Sequence, residues 1–158
     1  MSNTEEKPLM LWEVIKILEK RKGTNQYWDK ADQRKVYDYA NKLVKLNYDD
    51  ALKLLSILEN EFNCPRIVAV ELIDVLPVTF EELDLIIKEI DKISNSYKFT
   101  EKNIPKYVQD IIEYANFLES MEKEEREKYV LKLLDLLREY QKKARKIVQP
   151  TSKKAKEE

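Results

Sequence analysis

The chain has 158 residues, 43% apolar and 37% charged, with a net charge of −1, one glycine, one cysteine and no histidine. That composition fits one domain with a modest core, and it removes the parts for His/Cys zinc sets, Ser-His or Cys-His nucleophile pairs and glycine-rich phosphate loops. The lone Cys64 has no disulfide partner, no apolar run reaches membrane-spanning length, and the opening MSNTEEKPLM lacks a signal-peptide apolar stretch, so a cytoplasmic protein without a cofactor is the expectation.

Apolar residues recur at helical spacing along nearly the whole chain, predicting a mostly all-α fold. Leu11, Trp12, Ile15 and Leu18 predict a helix from Leu9 to Lys22 that Gly23 is placed to end, although Leu9 to Trp12 is also apolar enough for a short strand. Val36, Ala40, Leu43 and Val44 predict one face of a helix from Ala31 to Leu46, with Tyr37 and Tyr39 on its borders. Ala51, Leu54, Leu55, Leu58 and Phe62 predict the next helix, with Asn47 or Asp49 as its cap. Pro65 suits the first turn of a helix reaching Leu76, apolar on nearly all sides and therefore the most buried.

Pro77 then lacks an N–H and disfavours helix at Leu76, while Thr79 and Glu82 have the spacing of a capping box. Leu76 to Thr79 therefore reads as a hinge between two helices. A helix from Phe80 to Ile93, a polar loop from Ser94 to Lys98, and a helix from about Thr100 to Leu118 follow, with Pro105 near the first turn of the last. Between Glu122 and Ile147, residues Val130, Leu133, Leu134, Leu137, Tyr140 or Gln141, Ala144 and Ile147 form one apolar stripe of a long amphipathic helix. That stripe either folds back on the chain's own helices or docks on another protein. Acidic pairs such as Asp49-Asp50 and Glu81-Glu82 sit where first-turn charges favour the helix dipole, so they read as helix charges rather than catalytic dyads.

Beyond Gln141 the character changes. Lys142, Lys143, Arg145, Lys146, Lys153, Lys154 and Lys156 give this end a surplus of five positive charges, leaving about −6 on residues 1–141. An acidic body is the wrong sign for tracking phosphates, so only this basic cluster is a candidate nucleic-acid contact. Pro150-Thr151-Ser152 marks the end of helix, and residues 149–158 read as a disordered basic tail.

Four segments, Val36-Tyr37-Asp38-Tyr39, Asp49-Asp50-Ala51, Leu76-Pro77-x-Thr79-x-x-Glu82-Leu83 and Phe99-Thr100-Glu101, occur in an order that resembles one family, the smaller of the two stalk subunits of archaeal DNA-directed RNA polymerase. Its eukaryotic counterpart is the polymerase's fourth subunit, and the resemblance spans roughly residues 5–118. Asp84 follows Leu83 here, where the family usually carries an arginine shortly after the hinge, and residues 119–158 are an addition without an inherited role.

The resemblance implies a partner-binding region at 1–46, an HRDC-like helical domain at 47–118, and the appended helix at 119–148. It implies a non-catalytic chain that forms a heterodimer with the larger stalk subunit, supports DNA opening and guides nascent RNA. Large aromatics crowd the first 40 residues, as interface anchors do. Leu9, Leu11, Trp12 and Ile15, backed by Val36 and Tyr37, are the expected contacts with that partner. The alternative is a free-standing HRDC-type nucleic-acid-binding protein that uses the basic tail.

Overall fold

The computed structural model describes residues 8–24, 31–97 and 103–144, and among them seven helices and no strand. They are α1 (Leu11–Thr24), α2 (Ala31–Leu43), α3 (Tyr48–Glu61), α4 (Arg66–Val75), α5 (Phe80–Ser96), α6 (Lys106–Ser120) and α7 (Lys123–Lys142). The basic residues Arg145, Lys146, Lys153, Lys154 and Lys156 and the Phe99-Thr100-Glu101 segment lie outside the described residues.

Periodicity explains the body. In α3 the residues Ala51, Leu54, Leu55 and Leu58 fall on one face and are buried, and in α4 Val68, Ala69, Val70, Leu72 and Ile73 bury most of the circumference. Leu83, Ile87 and Ile90 of α5 join them, as do Ile111, Tyr114, Ala115 and Leu118 of α6. The appended helix is part of this same core: Val130, Leu133, Leu134, Leu137 and Tyr140 of α7 are all buried in it. The apolar stripe of α7 therefore folds back on the chain's own helices.

The hinge forms as its residues predict. Leu76 ends α4 in a left-handed conformation (φ 51°, ψ 63°), with its N–H on the Leu72 carbonyl at 2.8 Å. A left-handed Leu costs on the order of 1–2 kcal/mol, which burial of Leu76 and of the adjoining Pro77 offsets. Two cations take carbonyls at this helix end: Lys45 Nζ donates to Val75 at 2.6 Å, and Arg138 Nε donates to Val78 at 2.7 Å. Thr79 Oγ1 accepts the Glu82 N–H, and Glu82 Oε1 accepts the Thr79 N–H, both at 3.1 Å, completing the capping box that opens α5.

Several boundaries differ from those the sequence predicts. Leu11 and Trp12 are helical rather than strand, because Glu13 accepts the Met10 N–H at 2.8 Å and the Asp74 carboxylate accepts the Leu11 N–H at 3.2 Å, capping α1 from outside. Helix α5 runs through Ser94 to Ser96, where Ser96 Oγ donates to the Ile93 carbonyl at 2.8 Å. Helix α6 begins at Lys106 rather than near Thr100, with Pro105 as its N-cap residue in extended geometry.

A buried polar network joins α3, α6 and α7 at the far end of the body. Tyr129 Oη donates to the Phe62 carbonyl at 2.6 Å and lies 2.6 Å from Tyr114 Oη, which in turn contacts Cys64 Sγ at 3.6 Å. Burial pushes the Cys64 thiol up to about 11 and raises both tyrosines, so Cys64 is a neutral packing group at physiological pH.

Candidate partner-binding surface

Helices α1 and α2 pack on each other as a hairpin with a small core of its own, Ile15, Ala40 and Val44, against which Leu11, Trp12 and Tyr37 lie. Tyr37 Oη reaches Glu19 at 3.4 Å while Trp12 sits beside Leu46, so the two helices run antiparallel. Burial and the neighbouring Glu19 carboxylate raise the Tyr37 hydroxyl above its ordinary pKa.

Polar tethers hold this hairpin to the body at the start of α1. Arg66 of α4 grips both Glu13 oxygens at 2.6 and 2.7 Å, and its Nε donates to the Pro8 carbonyl at 3.1 Å. Trp12 Nε1 donates to the Leu46 carbonyl at 2.6 Å, and its ring lies 5.8 Å from that of Tyr48. Asp74, capping Leu11, is pushed up to about 6, first by burial and then by the nearby Glu71 and Glu13 carboxylates, against the lowering effect of the Leu11 N–H.

The six expected contact residues thus divide. Ile15 is fully buried inside the hairpin, and Trp12 packs against both the hairpin core and the main core. Leu11 and Tyr37 are half-buried against the hairpin core, whereas Leu9 and Val36 are exposed.

The apolar face of α2 is also turned from the one expected. Tyr37, Ala40 and Val44 point inward, and Val36, Tyr39 and Leu43 form a second stripe open to solvent at 49%, 66% and 40% exposure. Ile17 of α1 is exposed as well. Spacing of i, i+3 and i+7 is visible in the sequence, but two overlapping stripes about 100° apart give no indication of which one turns inward.

The remaining candidates are less organised. Lys142 and Lys143 close α7 on the surface, with Lys143 Nζ 4.7 Å from the centre of the Tyr140 ring. Among the described residues no group of three or more His, Cys, Asp or Glu side chains is arranged to hold a metal ion, and no helix is long and apolar enough to cross a membrane. No family model, curated protein or solved structure matches the chain.

Proposed function

We propose that this chain is the smaller, non-catalytic stalk subunit of an archaeal-type DNA-directed RNA polymerase, paired with the larger stalk subunit, where it supports DNA opening and guides nascent RNA. The observation that carries this reading is the exposed Val36, Tyr39 and Leu43 stripe on a hairpin whose own core is small. Three adjacent large apolar side chains, one of them an aromatic at 66% exposure, make a patch that a monomer has no need to present. Two of the three lie within the Val36 to Tyr39 segment that resembles the stalk family.

The Leu76 to Glu82 segment, which carries the second part of that resemblance, forms a helix stop and a capping box. The helical body is read as the HRDC-like part that projects from the interface. The chain's work in this reading is scaffolding: it buries apolar surface against the larger stalk subunit and fixes the stalk's geometry.

Co-expression with the larger stalk subunit tests it. The wild-type chain and that partner are expected to co-purify as a heterodimer, and Tyr39→Asp or Val36→Asp to lose the partner while keeping wild-type helical content. Leu131→Asp, on the exposed side of α7, is expected to pair normally. Wild-type chain that does not pair, or Tyr39→Asp that pairs at full strength, overturns the proposal. RNA binding that persists after removal of residues 142–158 would instead favour the free-standing nucleic-acid-binding reading.

A further inference from the structure

Helices α4 and α5, with Tyr107 and Ile111 of α6 between them, line an open groove of about 470 Å³ whose walls include Val75, Leu85, Ile86 and Ile93. Leu85 is 68% exposed, more than any other large apolar side chain among the described residues, and Val75 is 40% exposed. Every ionisable carboxyl or amine side chain lining this groove is an acid: Glu71, Asp74 and Glu89. The cation at its end, Lys45, is engaged with the Val75 carbonyl.

The other large grooves differ. The one between α5 and α7 balances Asp84 and Glu127 with Lys123 and Arg126, and the one beside Met121 balances Glu61 and Glu125 with Lys128 and Lys132. A smaller groove of about 290 Å³ beside Cys64 is also acid-lined, but it has no exposed aliphatic wall, and its Asp110 is paired with Lys106.

An apolar trough rimmed by acids matches a segment that carries Lys or Arg around aliphatic side chains. The chain contains such a segment: Arg145-Lys146-Ile147-Val148, followed by Lys153, Lys154 and Lys156. It follows a helix that is tied near one end of the groove. Arg138 ties the last turns of α7 to Val78, three residues from Val75 at the end of the groove. Ile147 and Val148 lie three and four residues past Ala144, within about 10–14 Å of it, which limits them to the Val75 end of the groove, and the ten residues after Val148 span up to about 33–36 Å when extended.

We propose that the α4–α5 groove is the docking site of the chain's own basic C-terminal segment, with Ile147 and Val148 on the Val75, Leu85 and Ile86 wall and the flanking Lys and Arg side chains facing Glu71, Asp74 and Glu89. Asp74 adds a supporting observation. Its carboxylate is disfavoured by burial and by two neighbouring acids, so a docked cation is the group it lacks. Docking would also place the basic charges on the acidic body, out of reach of phosphates, until something stronger competes for them.

Paramagnetic broadening in the full-length chain tests this. A nitroxide attached at Ser152→Cys leaves the buried Cys64 unlabelled. It is expected to broaden the methyl signals of Val75, Leu85, Ile86 and Ile93 more than those of Val130 and Leu131 in the α5–α7 groove. The broadening should fall in about 0.5 M salt and in the Glu71→Gln/Glu89→Gln variant, whose substitutions are on exposed side chains and are expected to leave the circular dichroism spectrum unchanged. Broadening spread evenly over both grooves, centred on Leu131, or unchanged by salt and by the double substitution overturns the proposal. So does broadening that appears only between labelled and unlabelled chains, because the occupant would then be a second copy.

Discussion

Trp12 is where the sequence and the structure assign one residue two different roles, and substituting it separates them. As an interface anchor it would be dispensable to the free chain. In the structure its indole packs against the main core and the hairpin core together and donates to the Leu46 carbonyl at 2.6 Å. Truncating a core Trp to Ala costs about 3–5 kcal/mol; half-burial here brings the packing part to about 2. Leaving the Leu46 carbonyl without its donor adds about 1, so Trp12→Ala is expected to cost the free chain roughly 2–4 kcal/mol. Trp12→Phe keeps most of the packing and loses the hydrogen bond, costing about 1–2. Against a domain stability of about 5–15 kcal/mol these are readily measured as a lower urea midpoint at unchanged slope. A Trp12→Ala chain within about 0.5 kcal/mol of wild type that nonetheless cannot pair with the larger stalk subunit would refute the reasoning and restore Trp12 as a pure anchor.

Three further outcomes are expected. Thr79→Ala removes the side chain that accepts the Glu82 N–H and should cost about 1 kcal/mol in urea unfolding, an effect absent if the hinge contributes nothing. Asp74 is protonated more readily in the folded chain than in the unfolded one, where 3.8 is its ordinary value, so its contribution to stability is fullest below about pH 4 and is lost as pH rises through about 6. Asp74→Asn, which keeps an acceptor for Leu11, should therefore be more stable than wild type at pH 7 and lose that advantage near pH 4, both measured in about 0.5 M salt, where the basic C-terminal segment is released; equal midpoints at both pH values would contradict the assignment. Tyr129→Phe leaves the Phe62 carbonyl without its side-chain donor and removes a partner of the Tyr114 hydroxyl, costing about 1–3 kcal/mol, and should speed modification of Cys64 by a thiol reagent, which burial is expected to keep slow in the wild-type fold.

Local signals in the sequence locate most of the helices because the responsible physics is local. Ala51, Leu54, Leu55 and Leu58, or Pro77 with Thr79 and Glu82, act within one or two turns, and each does in the structure what its spacing implies. The start of α1 is only partly legible in the same way: Glu13 caps Met10 locally, but the Leu11 N–H is capped by Asp74, 63 residues away, and the tether comes from Arg66, and no local pattern signals either of these two. The same holds for Cys64, Tyr114 and Tyr129, three ordinary positions until the chain brings them together. The open stripe on α2 is hidden for a different reason. Both of its faces are apolar, and the choice between them depends on where Ile15 of α1 lies.

That long-range stitching bears on how the hairpin would bind. The tethers from Arg66, Asp74 and Leu46 all reach α1 or the residues just before it between Pro8 and Glu13, whereas Tyr37 pairs with Glu19 further along. Val36 and Tyr39 therefore sit on the part of the hairpin away from its anchorage, where local opening costs least. A partner that covers the stripe stabilises that part most, because it binds only the closed form. Hydrogen exchange measured with and without the larger stalk subunit should accordingly show protection gained at amides of Val36 to Ala40 and Ile17 to Lys20, with little change at Leu54 or Leu72 in the body core. A uniform gain across α3 and α4 would mean that the partner binds the body and not the hairpin.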